Sequence, residues 1–382
     1  MPFISTKSSG IYISFILLLV VFIGMLTTIK PAYRFSSEAI TSWTSDVDSS
    51  TFLYIIGLEN RMLIKALPDD KAIPSITSTL FQVLTNVKSG DPKSLFAHVI
   101  PGFSSFENRI IVAGEGMDEL MLSIESSPPL EEVLKQKDAI VDEPEEEIES
   151  SDYNGLTTGE RDVVFVYNSH NRESFLPHLP GTTDPNDAHH DEVNITKVSE
   201  RLAKSLQSNG IGTNVDETDI MKVLNDEGMS YGQSYEASRN VVKEVIANNK
   251  DIQYIFDIHR DSLRRKNTTT TINGEDYAQI LFVIGAEFSN YEKNLALATK
   301  LHYLIQEKYP DLSKGVVTKA GAGTNGVYNQ DLFENALLME VGGVDNTLEE
   351  LYRTADAIAE IFSEYYWEAE KVDGQTGGDG ES

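Results

Sequence analysis

From residue 160 onward the chain repeats one kind of unit. A short run of β-branched and aromatic residues leads into a polar turn, and a longer stretch follows with apolar residues three and four apart. Runs of the first kind, too short for helices and without helical spacing, are the mark of buried strands; the second kind marks amphipathic helices. The runs Val163–Tyr167, Ile211–Val215, Ile252–Ile258, Tyr277–Ile284, Val316–Thr318 and Ala336–Val341 are of the first kind. Between them, Val193–Leu206, Gln233–Asn249, Asn290–Lys308 and Thr347–Trp367 are of the second kind, the first stopping at Asn209-Gly210. Thr268–Asn273 and the turn Asn273-Gly274 lead into the fourth run. Alternation of this kind predicts a layered α/β fold, a twisted, mostly parallel or mixed sheet with helices on both faces.

Three of the runs end in residues with chemistry. Val163–Tyr167 delivers a tip with His170 and Glu173, three positions apart; Gln253–Ile258 ends at His259, and Ala336–Met339 ends at Glu340. Open α/β sheets bind ligands beyond the carboxyl ends of their strands, so the recurrence points to one site. Two imidazoles and a carboxylate are a zinc set that leaves a fourth position open for water. A further carboxylate at Glu340 is placed to move protons in such a site. Taken singly, each residue has a plainer structural use: His170 as a loop histidine, His259 paired with Asp257 or Asp261, Glu340 in a salt bridge. His190, in the pair His189-His190, is an alternative to Glu173 as third ligand. His178, His302 and the lone upstream His98 read as structural.

Composition narrows the chemistry further. The chain has no cysteine, which removes thiol nucleophiles and Cys-type zinc sites and leaves metal binding to His, Asp and Glu. A formal net charge of −29 argues against a nucleic-acid partner, which needs a Lys/Arg footprint. No Walker loop occurs, and the Gly321–Gly326 loop matches no phosphate signature.

The N-terminal end has a different character. Ile11–Ile29 is almost entirely apolar and uncharged, and at about 1.5 Å per residue it spans roughly a bilayer core. It is longer than a signal-peptide core and lacks an Ala-x-Ala-like cleavage site, so residues 8–30 are expected to form an uncleaved transmembrane helix with the bulk of the chain outside. Residues 31–125 are expected to form a smaller extracytoplasmic region, with helices over Thr51–Ala66 and Thr77–Val87 and a strand over Phe106–Val112. Six of the eight residues of Asp142–Glu149 are acidic and Pro128, Pro129 and Pro144 lie nearby, so residues 126–155 are expected to be a linker. The main domain then covers 156–370, and residues 371–382 form a flexible tail.

The order YNSHNRESFLP, DPND, VNITKVSERLAKSL, YIFDIHRDS, AQILFVIGAE and YNQDLFENALLMEVGGVDNTLEE resembles the stage II sporulation protein P family of endospore-forming bacilli over about residues 160–366. That resemblance implies an amidase-3-like fold and a zinc-dependent N-acetylmuramoyl-L-alanine amidase with endopeptidase activity on peptide cross-links. It further implies a role in thinning septal peptidoglycan during engulfment, in a membrane complex with sporulation proteins D and M. By position it places His170 and Glu173 (HNRE) and His259 (IHRD) at the zinc, and Glu340 (MEVGG) as the catalytic carboxylate. In the wider amidase group the carboxylate ligand opens the first helix after the first motif, where this chain has His190-Asp191-Glu192, so Glu173 and His190 both stand as third ligand.

Overall fold

The structure is a computed structural model and describes residues 109–114, 128–140, 153, 155–321 and 324–376. The described residues belong to one compact unit that begins at Ser105. The expected membrane helix, the helices over 51–66 and 77–87, and His98 lie outside the described residues. Among those described, no helix is long and apolar enough to cross a membrane.

The centre is a seven-stranded mixed sheet. In chain order its strands are β1 (Arg109–Ala113), β2 (Val164–Tyr167), β3 (Thr213–Val215), β4 (Tyr254–Asp261), β7 (Ile280–Gly285), β8 (Ser313–Lys319) and β9 (Ala336–Gly343). A separate hairpin pairs β5 (Thr269–Ile272) with β6 (Glu275–Ala278). The order across the sheet is β1-β8-β7-β9-β4-β2-β3. β3, β2, β4 and β9 run parallel, β7 opposes β9, β8 follows β7, and β1 closes the edge against β8. The chain leaves β2 for β3 on one side and returns to β4 on the other, so the strand order reverses between β2 and β4. Such a reversal opens a crevice at the carboxyl ends of the two strands.

Strand alternation sorts the side chains into two layers. Val164, Val166, Phe256, Ile258, Phe282, Met339 and Val341 face the larger core. There they meet α2 (Thr196–Ser208), α5 (Tyr291–Lys308) and α6 (Leu348–Thr376). On α6 the stripe Leu348, Leu351, Ala355, Ile358 and Phe362 follows helical spacing, and Arg201 of α2 ties to Asp356 of α6 at 2.6 Å. Phe165, Tyr167 and Ile255 face the opposite side, where Val242 of α4 (Ser234–Asn248) covers them. With a period of two, Asp257 and His259 on β4 and Leu338 and Glu340 on β9 also fall on the α4 side.

Several boundaries differ from the sequence expectation. β4 runs on to Asp261 and β9 to Gly343, so His259 and Glu340 lie within strands rather than past their ends. Both strands are flanked on each side, so backbone pairing carries on where the apolar run has stopped. The run 277–284 splits at Gln279, whose N–H donates to the Thr268 carbonyl and whose own carbonyl accepts from Gly342. The final helix continues to Thr376, past the expected start of the tail at 371.

Upstream of residue 155, two pieces are part of the folded body. β1 is the sheet edge, and residues 128–140 pack on the main domain rather than extending from it as a linker would. α1 (Leu130–Val133) buries Val133 against Ile220, Met221 and Leu224. Ile140 N–H donates to the His178 carbonyl at 2.9 Å. The dense acids of 142–149 lie outside the described residues. Ile220–Glu227 forms α3, an element the apolar-run reading passed over. Its signals are local: Asp219 accepts from Lys222 N–H as N-cap, and Gly228 ends the helix at φ 67°.

Candidate metal centre

The β2 tip, β4 and the start of α4 converge on one cluster. His170, Glu173 and His259 bring one ligand atom each to within 4.8 Å of one another. His170 and Glu173 reach the site from the turn after β2, where Glu173 N–H donates to the His170 carbonyl at 3.1 Å. His170 Nδ1 lies 3.5 Å from Glu173 Oε1, and His259 Nδ1 lies 3.9 Å from Glu173 Oε2. The two imidazoles meet edge to face with ring centroids 4.9 Å apart.

Each ligand is oriented from behind. His170 Nε2 is 2.7 Å from Ser234 Oγ at the start of α4. His259 Nε2 sits 2.9 Å from Asp257 Oδ1, close enough for an ion pair but outside hydrogen-bond geometry. Asp257 in turn accepts from Ser169 N–H at 2.9 Å and from Ser169 Oγ at 2.6 Å. Glu173 Oε2 accepts from Arg260 N–H at 2.9 Å. Both Nδ1 atoms face Glu173, and the groups behind the Nε2 atoms stand where partners orient metal-binding histidines from outside. Tyr231 stacks on His170 at 4.8 Å and Tyr235 on His259 at 5.9 Å, walling the cluster with aromatic faces.

The electrostatics suit a cation. Burial pushes the Glu173 carboxyl up, but the His170 hydrogen bond and the charges of Arg260, His170 and His259 prevail and hold it at about 2. Burial pushes the His259 imidazole down, yet Asp257, Glu173 and Glu340 outweigh it and raise it to about 10. Glu340 is raised to about 8 by burial and by Asp261 and Glu173, against the lowering pull of His259 and Lys319. Its Oε2 is buried without a hydrogen-bond partner among the described residues. The donor set and this acid-rich surround fit a divalent ion.

His190 stands elsewhere in the network. Its Nδ1 accepts from the N–H groups of Glu192 and Val193, both at 3.0 Å, and its Nε2 meets the Lys137 carbonyl at 3.0 Å. Both ring nitrogens are thus engaged in holding the turn before α2 and the 128–140 segment. His189 is closer to the cluster, bridged to Glu173 and edge-on to Tyr231. Burial, with the nearby Arg260 charge, lowers its imidazole to about 3. His178 is structural, accepting Leu348 N–H at 3.0 Å where α6 begins, and His302 bonds Ser313 at 2.8 Å. Sequence reasoning did not find Ser234, Tyr231, Tyr235 or Arg260 as parts of the site. Asp257 was visible in IFDIH only as a structural partner of His259.

Fold and cluster together define an α/β protein with a two-histidine, one-carboxylate cluster that could hold a metal ion, on the α4 side of its sheet. The family model described as Stage II sporulation protein P (SpoIIP) matches residues 90–363. The chain is 41% identical to Stage II sporulation protein P of Bacillus subtilis (strain 168) over 375 residues, 96% of this chain and 94% of that protein. The chain belongs to the stage II sporulation protein P family. Among solved structures, an N-acetylmuramoyl-L-alanine amidase from Clostridium difficile 630 is 18% identical with a TM-score of 0.31, covering 53% of this chain and 94% of that one. A metallo-carboxypeptidase from Burkholderia cenocepacia is 12% identical with a TM-score of 0.32, covering 54% of this chain and 57% of that one.

Proposed function

We propose that this chain is a zinc-dependent peptidoglycan hydrolase, an N-acetylmuramoyl-L-alanine amidase that also cuts peptide cross-links. The observation that carries the reading is the buried cluster of His170, Glu173 and His259 with Glu340 beside it. In this reading the cluster holds zinc, and Glu340 is the catalytic carboxylate. A zinc ion in such a set supplies an activated water and polarises a carbonyl. The chain's own residues do the rest. Glu173, oriented by Arg260 N–H, balances the charge of the centre. Asp257 behind His259 and Ser234 behind His170 hold the two rings in place. Glu340, beside His259, would take a proton from the attacking water and return it to the leaving amine, the work of a positioned carboxylate.

The wider setting follows from family membership and from the apolar N-terminal segment. Residues 8–30 anchor the chain in the membrane, the main domain faces the septal wall, and the enzyme thins that wall during engulfment alongside sporulation proteins D and M. The purified full chain with zinc should release peptides from peptidoglycan, and mass spectra of the products separate amide-bond cleavage from cross-link cleavage. A chain that binds wall but never cleaves it would instead be a non-catalytic scaffold of the sporulation complex.

A further inference from the structure

Next to the cluster lies a cavity of about 380 Å³, lined in part by Tyr235, Glu236, Arg239, Asn325, Asn329 and Asp331. Its central feature is a fork-to-fork pair. Arg239 NH1 donates to Asp331 Oδ1 and NH2 to Asp331 Oδ2, each at 2.6 Å. The two side chains remain 29% and 28% exposed, so the pair keeps an open edge toward the cavity.

This edge is connected rigidly to the metal centre. Arg239 NH1 reaches Asn329 Oδ1 at 3.4 Å, and Asn329 Nδ2 donates to Ser238 Oγ at 3.1 Å. Ser238 Oγ is 2.8 Å from Ser169 Oγ, which donates to Asp257 Oδ2, the carboxylate behind His259. Tyr235 spans the same distance directly, lining the cavity while its ring stacks on His259. A group seated at Arg239 is therefore held at a set position relative to the ligands.

The lining selects a class of ligand. Tyr235 is only 5% exposed and packs on the two site histidines, which leaves no open aromatic face for a sugar ring. Among the described residues lining the cavity, the charged ones are one cation, Arg239, and two carboxylates, Glu236 and Asp331. A ligand with a carboxylate and an amine a few ångströms apart matches that pattern, the carboxylate on the guanidinium N–H groups not bonded to Asp331 and the amine on Asp331 and Glu236.

We infer that the Arg239–Asp331 pair is a specificity-determining element that seats a zwitterionic peptide arm of the substrate beside the metal centre. The inference deepens the hydrolase reading and rests on it for the identity of the substrate. The test uses the full chain in detergent, loaded with zinc and carrying Glu340→Gln to stop turnover. It is titrated calorimetrically with a synthetic stem peptide bearing one free side-chain amine and a C-terminal carboxylate. Adding Arg239→Ala should weaken binding about tenfold or more, the scale of a lost charge-assisted hydrogen bond. Amidating the peptide's carboxylate should cost affinity in the parent but little in the Arg239→Ala protein, because both changes remove the same contact. The exchange Arg239→Asp with Asp331→Arg restores an ion pair for folding but reverses its polarity, and it should keep the melting temperature while losing the peptide. Equal affinity of parent and Arg239→Ala, or an amidation cost that is the same in both, overturns the inference. Peptide binding that behaves as expected in a chain that never cleaves wall would sink the hydrolase reading and leave the subsite standing.

Discussion

His259 on β4 and Glu340 on β9 are direct cross-strand partners in parallel register, and both side chains project to the α4 side of the sheet. This adjacency sets a proposed metal ligand next to a carboxyl whose Oε2 has no hydrogen-bond partner among the described residues. The two residues have separable tasks. Glu340→Gln should leave zinc stoichiometry unchanged while lowering kcat on peptidoglycan by about 10²–10⁴, the usual contribution of a positioned acid–base group. Metal analysis of the purified variant beside its wall-digestion rate checks both halves.

Glu173 and His190 are distinguished by what each touches. Glu173→Ala removes a member of the cluster and should lower zinc affinity by well over tenfold. His190→Ala strands the N–H groups of Glu192 and Val193 and the Lys137 carbonyl, and it should cost about 2 kcal/mol of stability with zinc binding intact. Zinc titration and denaturant unfolding of the two variants should show opposite patterns.

Asp257 acts through His259, not on substrate. Asp257→Asn should reduce zinc affinity about 10–100-fold, the effect of losing a partner behind a metal-bound histidine. The measurement is competition against a chelating dye, and an affinity equal to wild type would show that the strand and the stacked Tyr235 alone orient the ring.

Outside the cluster itself, Asp219 caps α3 and grips Arg172, which lies between His170 and Glu173 in the chain, at 2.6 Å. Burial pushes its carboxyl up, but hydrogen bonds from Arg172 and Asn171 hold it below the ordinary carboxylate range. A depressed pKa contributes stability that is fully present above the unfolded value, about 3.9, and is lost as pH falls through the folded one. Asp219→Ala should therefore cost about 2 kcal/mol at pH 7 and progressively less below pH ~4. Urea unfolding of the two proteins from pH 7 to pH 2.5 checks the sign.

Much of this arrangement can be read in the residues themselves. The run VVFVY carries enough β-branched and aromatic side chains to declare a strand, and the helical stripe on Val198, Leu202 and Leu206 declares α2. What cannot be read is adjacency. The pairing of β4 with β9 across some eighty residues makes His259 and Glu340 neighbours, and no local pattern encodes it. Ser234 and Tyr235 are equally silent, because their roles come from where α4 begins against β2 and β4. The proline-bearing stretch 128–140 reads as linker by composition, yet Val133 is buried and Ile140 is hydrogen-bonded, since three neighbours on α3 offer it an apolar seat. Helix α3 was legible from Asp219 and Gly228, whose capping signals outrank its short apolar run.

The measurement that bears most directly on the central claim is the anomalous diffraction of zinc in crystals of the zinc-loaded protein. The account predicts a single strong peak at about 2.0–2.1 Å from Nδ1 of His170 and Nδ1 of His259 and at a similar distance from a Glu173 carboxylate oxygen, with His190 still bonded to the Lys137 carbonyl. A peak coordinated by His190 in place of Glu173, or full zinc occupancy anywhere outside this cluster with none inside it, would contradict it.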